Sequence, residues 1–268
     1  MVKMADTFLQ VSAGKVVETD RDHRQEFMSK VRYALGHFSI NSDSKSLDFQ
    51  NQILTSEENL FLLAEKAIDF TKSHAEELFV DLESSATKIG WNVTRFDSFK
   101  QVSDYVLDIS SKLKAESVIK SGHPLLEKLD LDQSLTDVGI RLDSIFVDDV
   151  ADKTFEQRLL RAKATDSDIG ITGVDYAIAE TGSCVLFAKE KVSRLVSLLP
   201  PVHIAIVQKG QVLPSLDELF VLLRRDFLQG DELRYMNLIS GPSRSADIEQ
   251  TITTGVHGPG EVYMILLG

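Results

Sequence analysis

Asp168-Ile-Gly-Ile-Thr-Gly-Val-Asp-Tyr-Ala-Ile-Ala-Glu180-Thr-Gly-Ser183 is the stretch whose reading decides the fold. Apolar residues lead into a small, glycine-punctuated turn that carries one carboxylate. The chain then runs apolar again through Cys184-Val-Leu-Phe187. Glycine lets backbone approach a ligand or adopt positive φ. A carboxylate on such a turn, between two strands that read as buried, is presented to something. Gly241-Pro-Ser-Arg244-Ser-Ala-Asp247-Ile-Glu249 and Gly255-Val-His257-Gly-Pro-Gly260 are punctuated in the same way. In an α/β protein, loops at strand ends are where sites are built.

Working outward, continuous apolar runs of strand length alternate with helical patterns. Trp91–Phe96, Ser117–Lys120, Ile169–Ile171, Cys184–Phe187, Val202–Val207, Tyr235–Ile239 and Val262–Leu267 read as strands, and Gly139–Val147 as an extended segment. Helical spacing marks Ser98–Leu113 and Phe155–Ala164, and Pro124–Leu129 suits a short helix. Thr55-Ser-Glu-Glu58 and Ser215-Leu-Asp-Glu218 are capping boxes, in which a hydroxyl holds one free N–H and a glutamate reaches back to another. The first opens a long amphipathic helix to Ile89, with a break near His74; the second starts a helix facing the core through Leu216, Leu219, Phe220 and Leu223. A helix is also expected to begin near Ser243–Ser245. Such a pattern indicates α/β architecture with a mainly parallel sheet covered on both faces. Residues 1–54 read as an N-terminal arm, a helix over Arg24–Leu35 and a linker; 55–268 reads as the α/β domain.

Composition narrows the function. The chain has 268 residues, 43% hydrophobic and 26% charged, which is ordinary for a soluble globular protein. A net charge of −12 argues against nucleic acid, which calls for a basic stripe, and against anionic membrane surfaces. Eight carboxylates between Glu127 and Asp152 face only Lys128 and Arg141, giving either a solvated acidic face or a docking surface for a basic partner. The single cysteine, Cys184, lies in an apolar run and reads as a small buried hydrophobe. One thiol excludes both a disulfide framework and a cysteine-ligated cluster held by this chain alone, since such clusters need about four thiolates. No apolar signal core or stretch of ~20 apolar residues is present, so a cytoplasmic protein without membrane insertion is expected. No Gly-x-Gly-x-x-Gly or Walker motif and no histidine pair at metal-ligand spacing occurs, so neither nucleotide nor intrinsic metal is expected.

The punctuated segments, with Ser197-Leu-Leu-Pro-Pro-Val-His-Ile204 between them, resemble the LUD (lactate-utilization) domain family. The run Arg24-Gln-Glu-Phe-Met-Ser-Lys-Val-Arg-Tyr-Ala-Leu-Gly36 is similar to an opening helix in that family. The resemblance is strong from about Ser117 onward and looser over residues 60–116. It implies a three-layer sandwich of the kind shared by ribose-5-phosphate isomerase, glucosamine-phosphate deaminase and the CoA transferases (NagB/RpiA/CoA-transferase-like), with an N-terminal helical extension. It also implies a subunit of a lactate-to-pyruvate oxidation system whose iron–sulfur clusters sit on partner subunits (LutA- and LutB-like). A stand-alone enzyme or binding protein for a small phosphorylated or carboxylated metabolite is the alternative.

Glu180 is the leading catalytic candidate, approachable between small neighbours. A nucleophile is one reading and an ion pair with Arg194 or Arg244 the other. Arg244, at the expected helix start, could fork an organic acid or another anion, or bridge to Asp247 or Glu249. Lys120 follows a strand where phosphate would be held. His257 could serve as acid or base, or hydrogen-bond its own loop. Thr172, Thr181, Gly182, Ser183 and Arg194 complete the candidate ligand-binding set. His203, in an apolar strand, reads as a satisfied core histidine.

Overall fold

The computed structural model describes residues 57–145, 153–188, 193–231, 235–246 and 252–268. The arm, helix and linker expected before residue 55 lie outside these, as do Thr55, Ser56, Asp247 and Glu249.

Helix α1 (Glu57–Ser73) and helix α2 (Ala75–Ile89) meet at His74, the expected break. The Ser73 hydroxyl donates back to the Asp69 carbonyl at 2.8 Å, a bond that bends helices, while His74 N still donates to Phe70 O at 2.9 Å. The joint is therefore a kink with its hydrogen-bond ladder kept. Helix α2 ends at Gly90, whose φ of 106° is the left-handed conformation that glycine adopts without penalty.

There follow β1 (Asn92–Phe96), α3 (Phe99–Lys112), β2 (Ser117–Lys120), a 3₁₀ turn (Pro124–Lys128), α4 (Leu131–Asp137), β3 (Arg141–Ser144), α5 (Lys153–Thr165) and β4 (Ile169–Gly173). Next come β5 (Tyr176–Ile178), β6 (Ser183–Phe187), α6 (Leu195–Leu198), β7 (Val202–Gln208), β8 (Val212–Leu213) and α7 (Leu216–Leu228). The chain closes with β9 (Met236–Ile239), β10 (Arg244–Ala246), β11 (Ile252–Thr254) and β12 (Glu261–Leu267). The expected capping box at α7 is present: Asp217 N donates to Ser215 Oγ at 3.1 Å, and Ser215 N to the Glu218 carboxylate at 3.0 Å.

Six strands form a parallel sheet in the order β1-β12-β7-β4-β2-β3. From β2 the chain steps outward to β3 and then returns past β2 to β4, so the strand order reverses there. Asp168 pins this reversal: its carboxylate accepts from the N–H groups of Glu116 and Ser117 at 2.8 and 2.9 Å. A second sheet, β8-β5-β6-β9, is mixed, with β6 antiparallel to both β5 and β9.

The fold is thus α/β with a mainly parallel sheet, as the sequence indicates. The apolar runs at 184–187 and 235–239 belong, however, to the smaller mixed sheet. The expected helix start at Ser243–Ser245 is also corrected, because β10 pairs antiparallel with β11 there. Arg244, Ser245 and Ala246 lie in register opposite Thr254, Thr253 and Ile252, and this strand pairing across an intervening loop is not visible in the local pattern at 243–245.

Alternation along the parallel strands sorts the core. Ile169, Ile171, Ile204, Ile206 and Ile265 pack on one side against Val102 and Val106 of α3 and Leu131 and Leu135 of α4. Ala205, Val207, Met264 and Leu266 face the other way, onto Phe79 and Leu82 of α2 and Cys184 and Leu186 of β6. Burying each such Leu, Ile or Phe side chain contributes roughly 1.5–3 kcal/mol. Behind the mixed sheet, α1 and α7 close a further layer through Ala64, Leu219 and Leu222 on Ile178 and Val185. No helix among the described residues is long and apolar enough to cross a membrane.

Candidate functional site

The three punctuated segments come together around the carboxyl end of α2. Gly182 has φ of 65°, and a Cβ there would stand 2.5 Å from the Ala86 backbone nitrogen, so the 181–183 turn lies directly on the helix. Thr181 Oγ1 is 2.8 Å from Ser183 Oγ, which is 2.6 Å from Ser240 Oγ. These hydroxyls join the first segment to the second. One turn further along α2, Arg244 donates from Nη2 to the Ile89 carbonyl at 3.0 Å. Arg244 therefore caps a helix end instead of opening a helix. The exposed His257 donates its backbone N–H to Ser243 Oγ at 3.3 Å, which brings the third segment beside Arg244.

This cluster lies at the amino edge of the parallel sheet. Ser243 N donates to Pro259 O, and Gly260 N to Pro201 O, just before β12 and β7 begin. Lys120 ends β2 at the opposite, carboxyl edge, where its ammonium forms an ion pair with Asp132. A strand of four or five residues separates the two edges by ~13–17 Å. Arg194 is elsewhere again, exposed, with its guanidinium 4.5 Å from the centre of the Tyr235 ring.

Thr172 is fully buried in the sheet, with Oγ1 2.8 Å from His203 Nε2. His203 is a core residue, as expected, and burial holds its imidazole down to about 3. Its satisfaction is only half complete, because Nδ1 has no hydrogen-bond partner among the described residues. The Nε1 of Trp91, whose ring centre is 6.1 Å from that of His203, is in the same position. The alternation of β7 places His203 inward; the pairing with Thr172 crosses two strands and has no local signal.

Glu180 is exposed, and its backbone N–H donates to Pro214 O at 3.0 Å. Its carboxylate makes no ion pair to Arg194 or Arg244, which are engaged as above. Instead it borders a groove of about 410 Å³ along the outer flank of α2. Leu78, Ala179 and Pro214 give that groove apolar surface, and Phe70, His74, Glu77, Asp81 and Lys88 line it as well. The His74 ring stacks on Phe70 with centres 4.1 Å apart. Reading by segments missed these helix residues. Their spacing at 74, 77, 81, 84 and 88 is nevertheless a polar stripe on one helical face, the pattern that would have found them.

Among the described residues, no group of three or more His, Cys, Asp or Glu is placed to hold a metal ion. Cys184 is buried, and desolvation pushes its thiol far above the ordinary range.

The LUD domain family model matches residues 81–267. The chain belongs to the LUD domain family. It is 36% identical over 192 residues to a protein named lactate utilization protein C from Halalkalibacterium halodurans, covering 70% of this chain and 78% of that one. A protein of the same name from Bacillus subtilis is 40% identical over 106 residues, covering 39% of this chain and 44% of its own length. Among solved structures, a DUF162 family protein from Deinococcus radiodurans superposes with a TM-score of 0.49 at 20% identity, covering 72% of this chain and 98% of that one.

Proposed function

We propose that this protein is a subunit of a cytoplasmic L-lactate oxidation system that holds none of the redox centres itself. Its contribution is to bind a small organic acid or to assist assembly. Relatives named lactate utilization protein C support a role in lactate utilization. Lactate becomes pyruvate by giving up two electrons and two protons, so something in the system must accept them.

The observation that carries this reading is the cysteine inventory. One thiol, buried in the core and held protonated by desolvation, does not fit an iron–sulfur cluster, which needs about four thiolates. In this reading the clusters belong to partner subunits. A stand-alone enzyme is less well supported, because it needs Glu180, Arg244, Lys120 and His257 at hydrogen-bond range of one reacting group. Lys120 ends β2 at the carboxyl edge of the parallel sheet, whereas Arg244 caps α2 beside its amino edge.

The test is affinity purification of the full chain from its own cells grown on lactate, with iron and sulfide analysis of what co-purifies. A cluster-bearing subunit is expected, and a deletion strain should fail to grow on lactate. Recovery of no such partner, together with normal growth of the deletion strain, overturns the proposal.

A further inference from the structure

The groove beside α2 is lined by carboxylates without partners. Glu77, Asp81 and Glu180 are all exposed, and none of the three holds an ion pair or side-chain hydrogen bond among the described residues. Glu76, one residue away on the same helix, by contrast pairs with both Arg95 and Lys209. Lys88 and His74 are the groove's opposing basic groups. Phe70, which also lines the groove, keeps 45% of its surface in solvent although it stacks on His74.

Two kinds of surface therefore meet in one groove: an excess of carboxylates over the basic Lys88 and His74, and an accessible aromatic face. A guanidinium or ammonium on an aliphatic stem satisfies both, the head meeting the carboxylates and the stem or planar head lying on the ring. The chain as a whole carries −12, so long-range attraction also favours a positive visitor.

We propose that this groove docks a lysine- and arginine-bearing segment of a partner polypeptide. This deepens the subunit reading above and rests on it for the partner's existence. Helix α2 supplies Glu77 and Asp81 from consecutive turns of one face, and the turn after β5 supplies Glu180 opposite them. Acids spaced one helical turn apart, ~6 Å, suit basic residues at a similar repeat on an extended or helical segment. The position of Glu180 then has a purpose. Its turn is fixed against α2 through Gly182 and Ala86, which presents the carboxylate at a constant distance from the helix acids.

The experiment is fluorescence anisotropy of the purified full chain with a labelled peptide of repeated Leu-Arg-Ala-Lys, and with its Leu-Glu-Ala-Glu counterpart. One variant carries Glu77→Gln, Asp81→Asn and Glu180→Gln. A control loses the same charge at exposed positions elsewhere, through Asp104→Asn, Glu116→Gln and Asp231→Asn. The basic peptide is expected to bind the native chain and the acidic one not. Binding weakens at least about tenfold in the groove variant and less than about twofold in the control, and falls as salt rises beyond ~0.1 M. Equal weakening in both variants shows attraction to bulk charge and overturns the proposal, as does absence of binding to the native chain. Full displacement by arginine amide at the peptide's own concentration shows a small-cation site and also overturns it. If the triple variant fails to fold, Asp81→Asn and Glu180→Gln are measured singly against the same control. Because this titration uses only the purified chain, a negative result leaves the lactate reading standing. Conversely, a purification that recovers no cluster-bearing partner overturns that reading without touching the titration.

Discussion

Arg244 reaches across to donate 3.0 Å to the carbonyl of Ile89, and its Nη2 occupies the place where a side chain on Gly90 would begin, 2.5 Å from an ideal Cβ. A residue late in the chain thus closes a helix that ends more than 150 positions earlier. Cations favour helix carboxyl ends because unpaired carbonyls concentrate negative charge there.

Arg244→Ala should cost about 1 kcal/mol, below the usual ~1.5–3 kcal/mol for a bond to a charged group because the site is exposed. Gly90→Ala should cost about 1–2 kcal/mol through left-handed strain alone, and more through collision with Nη2. The double variant should cost less than the sum, because removing the guanidinium removes the collision but not the strain. Urea unfolding of the four proteins measures this. Strict additivity would mean that Arg244 does not occupy that space in solution.

Gly182 and Gly139 separate strain from contact. Both have positive φ, 65° and 79°, but a Cβ at Gly139 meets nothing within 4 Å while one at Gly182 strikes the Ala86 backbone. Gly139→Ala should cost about 1 kcal/mol, and Gly182→Ala about 2–4 kcal/mol. Thermal denaturation should show the larger fall at Gly182. Equal falls would release the turn from α2.

Glu180→Gln should leave stability within about 0.5 kcal/mol of the native chain, since an exposed carboxylate without an ion pair strands no partner when it is neutralised. Growth on lactate in a complemented deletion strain should nevertheless fall. A large drop in melting temperature would place Glu180 in the structural framework and remove it from the site.

His203 sets an acid limit. Its folded value near 3 lies below the ~6.5 of an unfolded chain, so only the unfolded state takes up the proton between these limits. The stability it contributes is fully present above about pH 6.5 and is lost as pH falls toward 3. His203→Gln should therefore flatten the pH dependence of unfolding free energy between pH 7 and 5 by the slope of about one proton. An unchanged slope would mean that His203 titrates alike in both states.

Much of this was legible locally. The Ser215–Glu218 box, the break at His74 and the strands Ser117–Lys120 and Val202–Gln208 are set by nearest neighbours and burial, which a sequence displays. The short strands β5 and β8, of three and two residues, offer no room for alternation to show. The region after Arg244 misleads for a different reason. Gly-Pro-Ser followed by acids is good helix-start chemistry, yet β11 supplies ladder partners that local propensity cannot register. The candidate site divides along the same line. Segments flagged by their glycines do meet at the end of α2, whereas Lys120, flagged by its place after a strand, lies at the far edge. The carboxylates across from Glu180 went unnoticed because they belong to a helix read only for its apolar face.

The burial of Cys184 has a practical side. A thiol closed off in the core and held protonated is inert to maleimides and to mild oxidants. The native chain already behaves as a cysteine-free background. A cysteine introduced at the exposed Ser84, on the rim of the groove, would be the sole reactive thiol, and a spin label or photocrosslinker attached there would report on whatever comes to lie against α2.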